Sequence, residues 1–190
     1  MAKLVVGLGN PGTEYSKTRH NAGFLFVDGW LSSRSAEFSY QSKFQGSVVK
    51  FNQAGQTVHV LKPQTFMNKS GVSVATYAKY FNISVEDIIV VHDELDLEPG
   101  DIRLKRAGGH GGHNGLRDII NQLSSADFYR LRIGVGHPGA KHQVSNYVLT
   151  APGKEDDANM LQAMAMGVAV MDDVLKDEYQ RAMQYLHTAK

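Results

Sequence analysis

Residues 3–12 read KLVVGLGNPG, an apolar, β-branched run that stops at a loop of glycine, asparagine and proline. Such a run predicts a short buried strand. The glycines also fit the Gly-x-Gly-x-x-Gly spacing of dinucleotide-binding proteins, which needs a helix that opens within the motif. Pro11 removes one amide there, and residues 13–20 lack the apolar periodicity of a packed helix. The stretch therefore predicts a strand and a loop, and it argues against a nucleotide-dependent dehydrogenase.

Strands and helices alternate through the remainder of the chain. Strands are predicted at residues 46–51, 57–61, 88–91, 101–105 and 129–136, and helices at 22–31, 70–81, 115–123 and most of 154–186. The alternation favours a layered α/β domain around a partly parallel sheet. Because no linker or internal repeat is visible, residues 1–190 are expected to form a single domain.

The C-terminal helical stretch carries an apolar stripe. Its members are Met160, Met164, Val168 and Met171. Methionine is a flexible filler of apolar cores. The methionines are therefore predicted to fill the core rather than to form a binding surface.

The composition is ordinary for a soluble globular protein, since 42% of the 190 residues are apolar and 21% are charged. The absence of cysteine excludes disulfides, thiolate zinc sites and a thiol nucleophile, and it suits a reducing cytosol. The apolar run at residues 4–9 is too short for a signal peptide, and no apolar run is long enough to span a membrane. We therefore expect a cytoplasmic protein with no membrane partner.

The net charge of +1 hides an asymmetry along the chain. Residues 101–142 hold seven Lys or Arg against three Asp, whereas residues 154–178 hold seven acidic residues against two lysines. One interpretation is two differently solvated faces. The other is a local basic patch that binds a polyanion.

Three polar loops follow predicted strands, at residues 7–21, 62–71 and 92–115. In open α/β sheets, ligands bind outside the carboxyl ends of the strands. At least two of the loops leave such ends, so their polar side chains can converge on one site.

His20 is the best candidate for a general base, because imidazole titrates near neutral pH. Asp93 directly follows a buried strand and is the best candidate to orient that base. A carboxylate bonded to one imidazole nitrogen sets the tautomer and stabilises the cation that forms on proton uptake. Each residue also has a plainer interpretation, as a surface histidine and as a turn-forming or helix-capping aspartate. Sequence spacing does not show that the two side chains meet.

The sequence offers no obvious protein nucleophile, because it has no Gly-x-Ser-x-Gly elbow and no cysteine. His92, His110 and His113 suggest a metal, but no His-Glu-x-x-His motif occurs and His113 lies beside glycines rather than on a helix face. We therefore expect no metal and no cofactor. A water molecule activated by the histidine is the remaining nucleophile.

One asparagine lies in each polar loop, at positions 10, 68 and 114. A carboxamide donates and accepts hydrogen bonds without carrying charge, so Asn10, Asn68 and Asn114 can hold a peptide backbone and stabilise an oxyanion. An asparagine beside glycine or proline is also a common turn residue. Phe66 and Met67 would add an apolar wall, although a core position is an equal alternative for Phe66.

Long motifs in the first 140 residues carry a family resemblance. Residues 7–23 match Gly-Leu-Gly-Asn-Pro-Gly-x-x-Tyr-x-x-Thr-Arg-His-Asn-x-Gly, and residues 62–71 match Lys-Pro-x-Thr-Phe-Met-Asn-x-Ser-Gly. Further matches lie at residues 92–96, 109–117 and 130–138. In this order and at this length, the motifs resemble those of the bacterial-type peptidyl-tRNA hydrolases. The tail from Gly153 onward is similar only in its helical character.

The resemblance implies a monomeric, three-layer α/β/α fold around a twisted mixed sheet. It implies a hydrolase that acts on peptidyl-tRNA without a cofactor, with His20 as general base, Asp93 as its orienting partner and Asn10 beside them. The expected substrate-binding residues are Tyr15, Phe66, Met67, Asn68, Gly112, His113 and Asn114. The expected contacts to a tRNA phosphate are Lys105 and Arg132, which agrees with the basic stretch.

A catalytically silent RNA-binding relative of the same fold is the alternative. The intact His20, Asp93 and three loop asparagines argue against it. Two positions depart from the family pattern, since Ala107 stands where glycine is usual and Asp118 where serine is usual. Both lie beside the basic stretch in sequence, so these departures bear on substrate contacts rather than on the chemistry.

Overall fold

The computed structural model describes residues 1–188, which fold around one mixed sheet. Its strands are β1 (Ala2–Gly7), β2 (Ser39–Gln41), β3 (Gly46–Gln53), β4 (Gln56–Pro63), β5 (Ile88–Glu94), β6 (Ile102–Arg106) and β7 (Tyr129–Gly134). The order across the sheet is β2-β3-β4-β1-β5-β7-β6. The four strands β4, β1, β5 and β7 run parallel, and the outer pairings are antiparallel.

Helices cover both faces of the sheet. They are α1 (Ala22–Leu31), α2 (Ser70–Tyr80), α3 (Asn114–Leu123), α4 (Val144–Val148), α5 (Lys154–Ala169), α6 (Met171–Leu175) and α7 (Tyr179–Thr188). One apolar core lies between the sheet and α1, α5, α6 and α7, and a second lies between the sheet and α2 and α3. The expected three-layer α/β/α architecture is therefore confirmed. Within residues 1–188, no helix has the length and apolar character needed to cross a bilayer.

The central strands contribute to both cores at once. Leu4 and Val6 point into the α2–α3 core, whereas Val5 points into the opposite one. β5 alternates in the same way, and all of its aliphatic side chains are buried. A parallel strand that is buried on both faces needs a continuous apolar sequence, which is why β1 and β5 are recognisable from sequence.

The C-terminal region is mostly helical, as predicted, and it is divided into separate helices. It forms three helices, and a turn at Asp177 with φ of 61° separates the last two. Met160, Met164 and Met171 are buried as expected, but Val168 is 36% exposed. Val168 is turned outward because the buried face of α5 continues through Gly167, which packs against Ile102 and Phe26.

The edge of the sheet also differs from the prediction. β3 and β4 form a hairpin, and its two-residue turn consists of Ala54 and Gly55, both with positive φ. β4 continues to Pro63 instead of stopping before it. β2 was not predicted, because its three residues are all exposed and carry no apolar alternation.

Candidate active site

Close contact between α1 and the sheet brings the first loop to the end of β5. The backbone amide of Leu8 donates to the carbonyl of Val91, and the amide of Phe24 donates to the carbonyl of Leu8. A Cβ atom at Gly23 would lie 2.3 Å from the Val91 oxygen, so only glycine permits this approach. As a result, the 3-10 turn that precedes α1 places His20 over the end of β5.

His20 and Asp93 meet in a buried pair. Nδ1 of His20 lies 3.0 Å from Oδ1 and 2.9 Å from Oδ2 of Asp93. Burial lowers the pKa of His20, but the charge of the Asp93 carboxylate and its hydrogen bond outweigh burial, so this pKa is raised. Because Nδ1–H donates to Asp93, Nε2 is the nitrogen left to accept a proton.

His113 is a second imidazole on the same carboxylate. Its Nε2 lies 2.9 Å from Oδ1 of Asp93. Its Nδ1 accepts from the backbone amides of Gly115 and Leu116 at 3.1 and 3.2 Å, which caps the N-terminus of α3. Since amides only donate, Nδ1 must be the acceptor and Nε2 must carry the hydrogen. His113 therefore donates to Asp93, and its ring lies next to that of His20, with the two ring centroids 4.9 Å apart.

The two histidines determine the charge state of Asp93. Burial would raise the pKa of this carboxyl group, but His20 and His113 hold it well below its usual range. A third histidine, His92, is buried beside them, and its Nδ1–H donates to the backbone carbonyl of Asp93 at 2.7 Å. Burial, together with the proximity of His113, lowers the pKa of His92 to about 3, so His92 is neutral at physiological pH. Asp93 is thus an ionised carboxylate that receives hydrogen bonds from two rings.

His20, Asp93 and His113 are also close enough to hold a metal ion, since one ligand atom from each lies within 4.8 Å of the others. A coordinating histidine nitrogen must offer a free lone pair. The Nδ1 lone pair of His113 already accepts two backbone amides, and its Nε2 points a hydrogen at the carboxylate. The hydrogen bonding of these residues fits proton transfer better than coordination of an ion.

The contacts of Asn10 leave the NH2 group of its side chain as the hydrogen-bond donor. Its Oδ1 accepts from the backbone amide of Met67 at 2.7 Å, so the NH2 group carries the remaining hydrogen-bonding capacity. The side chain of Asn21 makes two hydrogen bonds to the backbone of Asn10. Its carboxamide oxygen accepts from the Asn10 amide at 2.9 Å, and its NH2 group donates to the Asn10 carbonyl at 3.0 Å. Asn21 was not among the predicted site residues, although it directly follows His20 in the sequence.

One cleft of about 320 Å³ gathers the residues predicted for catalysis and peptide binding. Those that line it are Asn10, Tyr15, His20, Phe66, Met67, Asn68, Asp93, Gly112, His113 and Asn114. Phe66 is 62% exposed, so it forms a wall of the cleft rather than part of a core. Met67 is buried beneath it.

The opposite wall of the cleft comes from α4 and was not predicted. Its residues are Val144, Ser145, Val148 and Leu149. Arg19 fixes this wall, because its guanidinium stacks on the Tyr147 ring at 3.9 Å and donates to the Thr150 hydroxyl at 2.7 Å. Tyr147 in turn donates to the carbonyl of Val135. The residue before His20 therefore ties the α4 wall to the loop that carries His20.

The basic residues predicted to bind phosphate lie outside this cleft. The strand register pairs Arg103 with Arg132 and Lys105 with Arg130, so these four side chains share one face of the β6–β7 edge. Lys105 is exposed, whereas Nε of Arg132 donates to Glu94 at 2.9 Å. This single contact through Nε involves neither terminal nitrogen of the Arg132 guanidinium.

Arg130 has a different role from its neighbours. It is buried, and its guanidinium donates to the carbonyls of Gly108, Gly109 and Ala126 at 2.6 to 3.1 Å. It therefore holds the start of the glycine loop that leads to Gly112 in the cleft. A guanidinium used in this way is not free to bind a phosphate.

The two departures from the family pattern have structural explanations. Ala107 adopts φ of 59°, a left-handed conformation in which glycine is less strained. Asp118 is not part of the basic face, because its Oδ2 accepts from the backbone amide of Gly71 at 2.7 Å, at the start of α2. Only Ala107, which leads into the glycine loop, lies next to the basic strands.

Comparisons with known proteins agree on one family. The family model described as peptidyl-tRNA hydrolase matches residues 4–190. The peptidyl-tRNA hydrolase of Pseudomonas entomophila (strain L48) is 49% identical over 189 residues, covering 99% of this chain and 97% of that protein. That of Coxiella burnetii (strain CbuG_Q212) is 46% identical over 186 residues, covering 98% and 97%. The crystal structure of peptidyl-tRNA hydrolase from Acinetobacter baumannii superposes with a TM-score of 0.96 at 43% identity, covering 100% of this chain and 96% of that one.

Proposed function

The chain belongs to the peptidyl-tRNA hydrolase family, and on that premise we propose that it hydrolyses the ester between a peptide and its tRNA with His20 as general base. Asp93 orients the base, and water is the nucleophile. The observation that carries this proposal is the buried contact between Nδ1 of His20 and Asp93, which leaves Nε2 available for the proton. The raised pKa of His20 matches the requirement for a base that accepts a proton near neutrality.

The reaction proceeds in two steps. Nε2 of His20 takes a proton from water while the water oxygen attacks the ester carbonyl carbon, which produces a tetrahedral oxyanion and an imidazolium. The oxyanion then collapses, the bond to the tRNA oxygen breaks, and that oxygen takes the proton from Nε2. The products are a free peptide carboxylic acid and free tRNA, and Asp93 remains ionised throughout to stabilise the imidazolium.

Asn10 stabilises the oxyanion in this scheme. Met67 occupies its carboxamide oxygen, so the NH2 group is the part that meets the substrate carbonyl. A fixed donor aimed at developing negative charge typically contributes about 10²–10³ in rate. Asn68 and Asn114, on the cleft walls, bind the peptide backbone, while Tyr15 and Phe66 contact the end of the tRNA.

The tRNA lies across the basic face in this proposal. Lys105 and the terminal nitrogens of Arg132 bind phosphate, and Glu94 holds Arg132 in position through Nε. The working form is proposed to be a monomer in the cytoplasm. A catalytically silent RNA-binding protein is the weaker candidate, because binding alone does not require an ionised carboxylate buried between two histidines.

The test is the release of tRNA from N-acetyl-aminoacyl-tRNA. We expect the wild-type protein to release it catalytically, and a silent RNA-binding protein would bind the substrate without release. Binding without release by the wild-type protein would reject the enzymatic function.

A further inference from the structure

His92 is a buried titratable residue that takes no part in the proposed proton transfer. It lies near the end of β5 and is 2% exposed. It is not among the residues that line the active-site cleft, so it does not reach a substrate. The four residues before it, 88–91, are all aliphatic. A polar ring in such a position costs free energy unless it is bonded, so the contacts of His92 indicate its role.

His92 contacts both partners of the hydrogen bond between His113 and Asp93. Its Nδ1–H donates to the backbone carbonyl of Asp93 at 2.7 Å. Its ring packs edge to face against the ring of His113, with the centroids 5.1 Å apart and the planes at 69°. His113 in turn donates from Nε2 to Oδ1 of Asp93. His92 therefore holds the backbone of Asp93 and also the imidazole that is bonded to its carboxylate.

The surroundings of His92 keep its ring neutral and so fix its tautomer. The register of β5 and β7 pairs His92 with Arg132, so Arg132 and, two residues earlier, Arg130 start from the same face of the sheet. Burial and the proximity of His113 and Arg130 lower the pKa of His92 to about 3. A neutral imidazole carries one N–H, and the Asp93 carbonyl requires it on Nδ1. Since Nε2 has no hydrogen-bond partner within residues 1–188, the bond to Asp93 is the single hydrogen bond of this ring there.

We propose that His92 is a positioning residue for the hydrolysis, which acts through Asp93 and His113. It holds the Asp93 backbone through Nδ1–H and the His113 ring through its edge, and it thereby keeps the carboxylate where it orients His20. This role rests on the proposed function and adds to it a residue that never touches the substrate. Loss of these contacts therefore lowers kcat and leaves KM unchanged.

Two substitutions separate the two contacts of His92. His92→Phe keeps an aromatic ring beside His113 and removes the donor to the Asp93 carbonyl, whereas His92→Asn keeps a donor at the position of Nδ1 and removes the ring. In His92→Phe we expect kcat for N-acetyl-aminoacyl-tRNA to fall by about 10- to 100-fold, because a small misplacement of a catalytic group is this costly. KM should stay near the wild-type value. The kcat of His92→Asn should lie between those of His92→Phe and the wild-type protein.

The pH profile distinguishes positioning from general support of the fold. Burial lowers the pKa of His20, but Asp93 raises it above its usual value. A carboxylate that has shifted away from His20 raises this pKa less. In His92→Phe, the acid limb of kcat/KM and the titration of His20 followed by NMR should therefore both move to lower pH. A loss of stability alone reduces the amount of folded enzyme and leaves the acid limb in place.

His59→Phe is the matched control for the loss of a buried histidine. His59 is 3% exposed, its Nδ1 lies 2.6 Å from the Tyr77 hydroxyl, and its ring packs edge to face on Tyr77. Burial, together with nearby Lys50, lowers its pKa to about 4, so it is neutral like His92. It lies in β4 beside α2 and does not line the cleft. We expect His59→Phe to lower the melting temperature but to keep the wild-type kcat, per folded enzyme, and the wild-type acid limb.

The outcomes separate the role of His92 from the proposed function. A wild-type kcat in His92→Phe, or a lower kcat with an unmoved acid limb, would reject the positioning role and leave the hydrolase in place. An equal loss of kcat per folded enzyme in His59→Phe would reject it as well, and so would a loss confined to KM. If the wild-type protein releases no tRNA, the proposed function fails and the positioning role fails with it.

Discussion

The surroundings of Asp93 and the basic face of β6 and β7 differ in how their charges are held. Asp93 is 3% exposed and receives a hydrogen bond from each of two histidines. On the basic face, Lys105 is exposed, and the contact of Arg132 with Glu94 involves only Nε. Buried and fully bonded groups are suited to a reaction that needs one geometry, whereas exposed cations suit a polyanion bound through many weak, salt-dependent contacts. The two regions should therefore respond differently to substitution.

The largest effect is expected at His20. His20→Ala should lower kcat by at least about 10²-fold, because a positioned base typically contributes 10²–10⁴. Binding of tRNA should be retained, since the basic face is untouched. Single-turnover hydrolysis of N-acetyl-aminoacyl-tRNA and a separate tRNA-binding titration measure the two quantities. Near-normal turnover in His20→Ala would show that His20 is not the general base.

Asn10 should give the next largest effect. Asn10→Ala removes the proposed oxyanion donor and should lower kcat by about 10²-fold with little change in KM. Asn10→Asp keeps an acceptor for the Met67 amide but replaces the donating NH2 group with a charged oxygen, so it should not restore activity. If Asn10→Asp were as active as the wild-type protein, the oxyanion role would be wrong.

Substitutions on the basic face should act on binding alone. In a Lys105→Ala, Arg132→Ala double variant, substrate affinity should fall by about 10-fold or more at low salt, and the slope of log K against log salt should decrease by about two. The kcat at saturating substrate should change little. An unchanged salt slope would mean that Arg132 serves only to pair with Glu94.

Glu94→Gln should give the smallest change in tRNA affinity, and it tests how Glu94 affects the basic face. The amide oxygen can still accept from Nε of Arg132, but the negative charge beside the proposed phosphate site is lost. We expect tRNA to bind slightly more tightly, within about 10-fold, while Glu94→Ala should bind more weakly because Arg132 loses its orientation. Similar affinities for the two variants would show that Glu94 does not position Arg132.

The sequence predicts the central part of this molecule well for a physical reason. β1 and β5 are buried on both faces, so each contains an unbroken apolar run, at residues 4–7 and 88–91, and polar residues stand out where these runs end. His20 and Asp93 are recognisable because residues that can transfer or orient protons follow those strands. The edge strand β2 is not recognisable, because it has only three residues and all of them are exposed.

The remaining parts of the site depend on contacts between distant segments. Nothing near His113 in the sequence indicates that its Nδ1 caps α3 while its Nε2 reaches Asp93, 20 residues away. The stacking of Arg19 on Tyr147, which places the α4 wall, joins residues 128 positions apart. Asn21 could have been identified by its position next to His20, but its two hydrogen bonds to the Asn10 backbone form only in the folded chain.

The most direct test of the account is the titration of His20 in the wild-type protein and in Asp93→Asn, followed by NMR together with the pH profile of kcat/KM. The base must be neutral to act, so activity should fall as the pH drops through the pKa of His20, which Asp93 raises above the usual value of about 6.5. Without the carboxylate, burial should lower this pKa, so the acid limb should move to lower pH and the plateau should fall, though less than in His20→Ala. The same acid limb in both proteins, or a limb that does not follow the titration of His20, would contradict the assignment of His20 and Asp93.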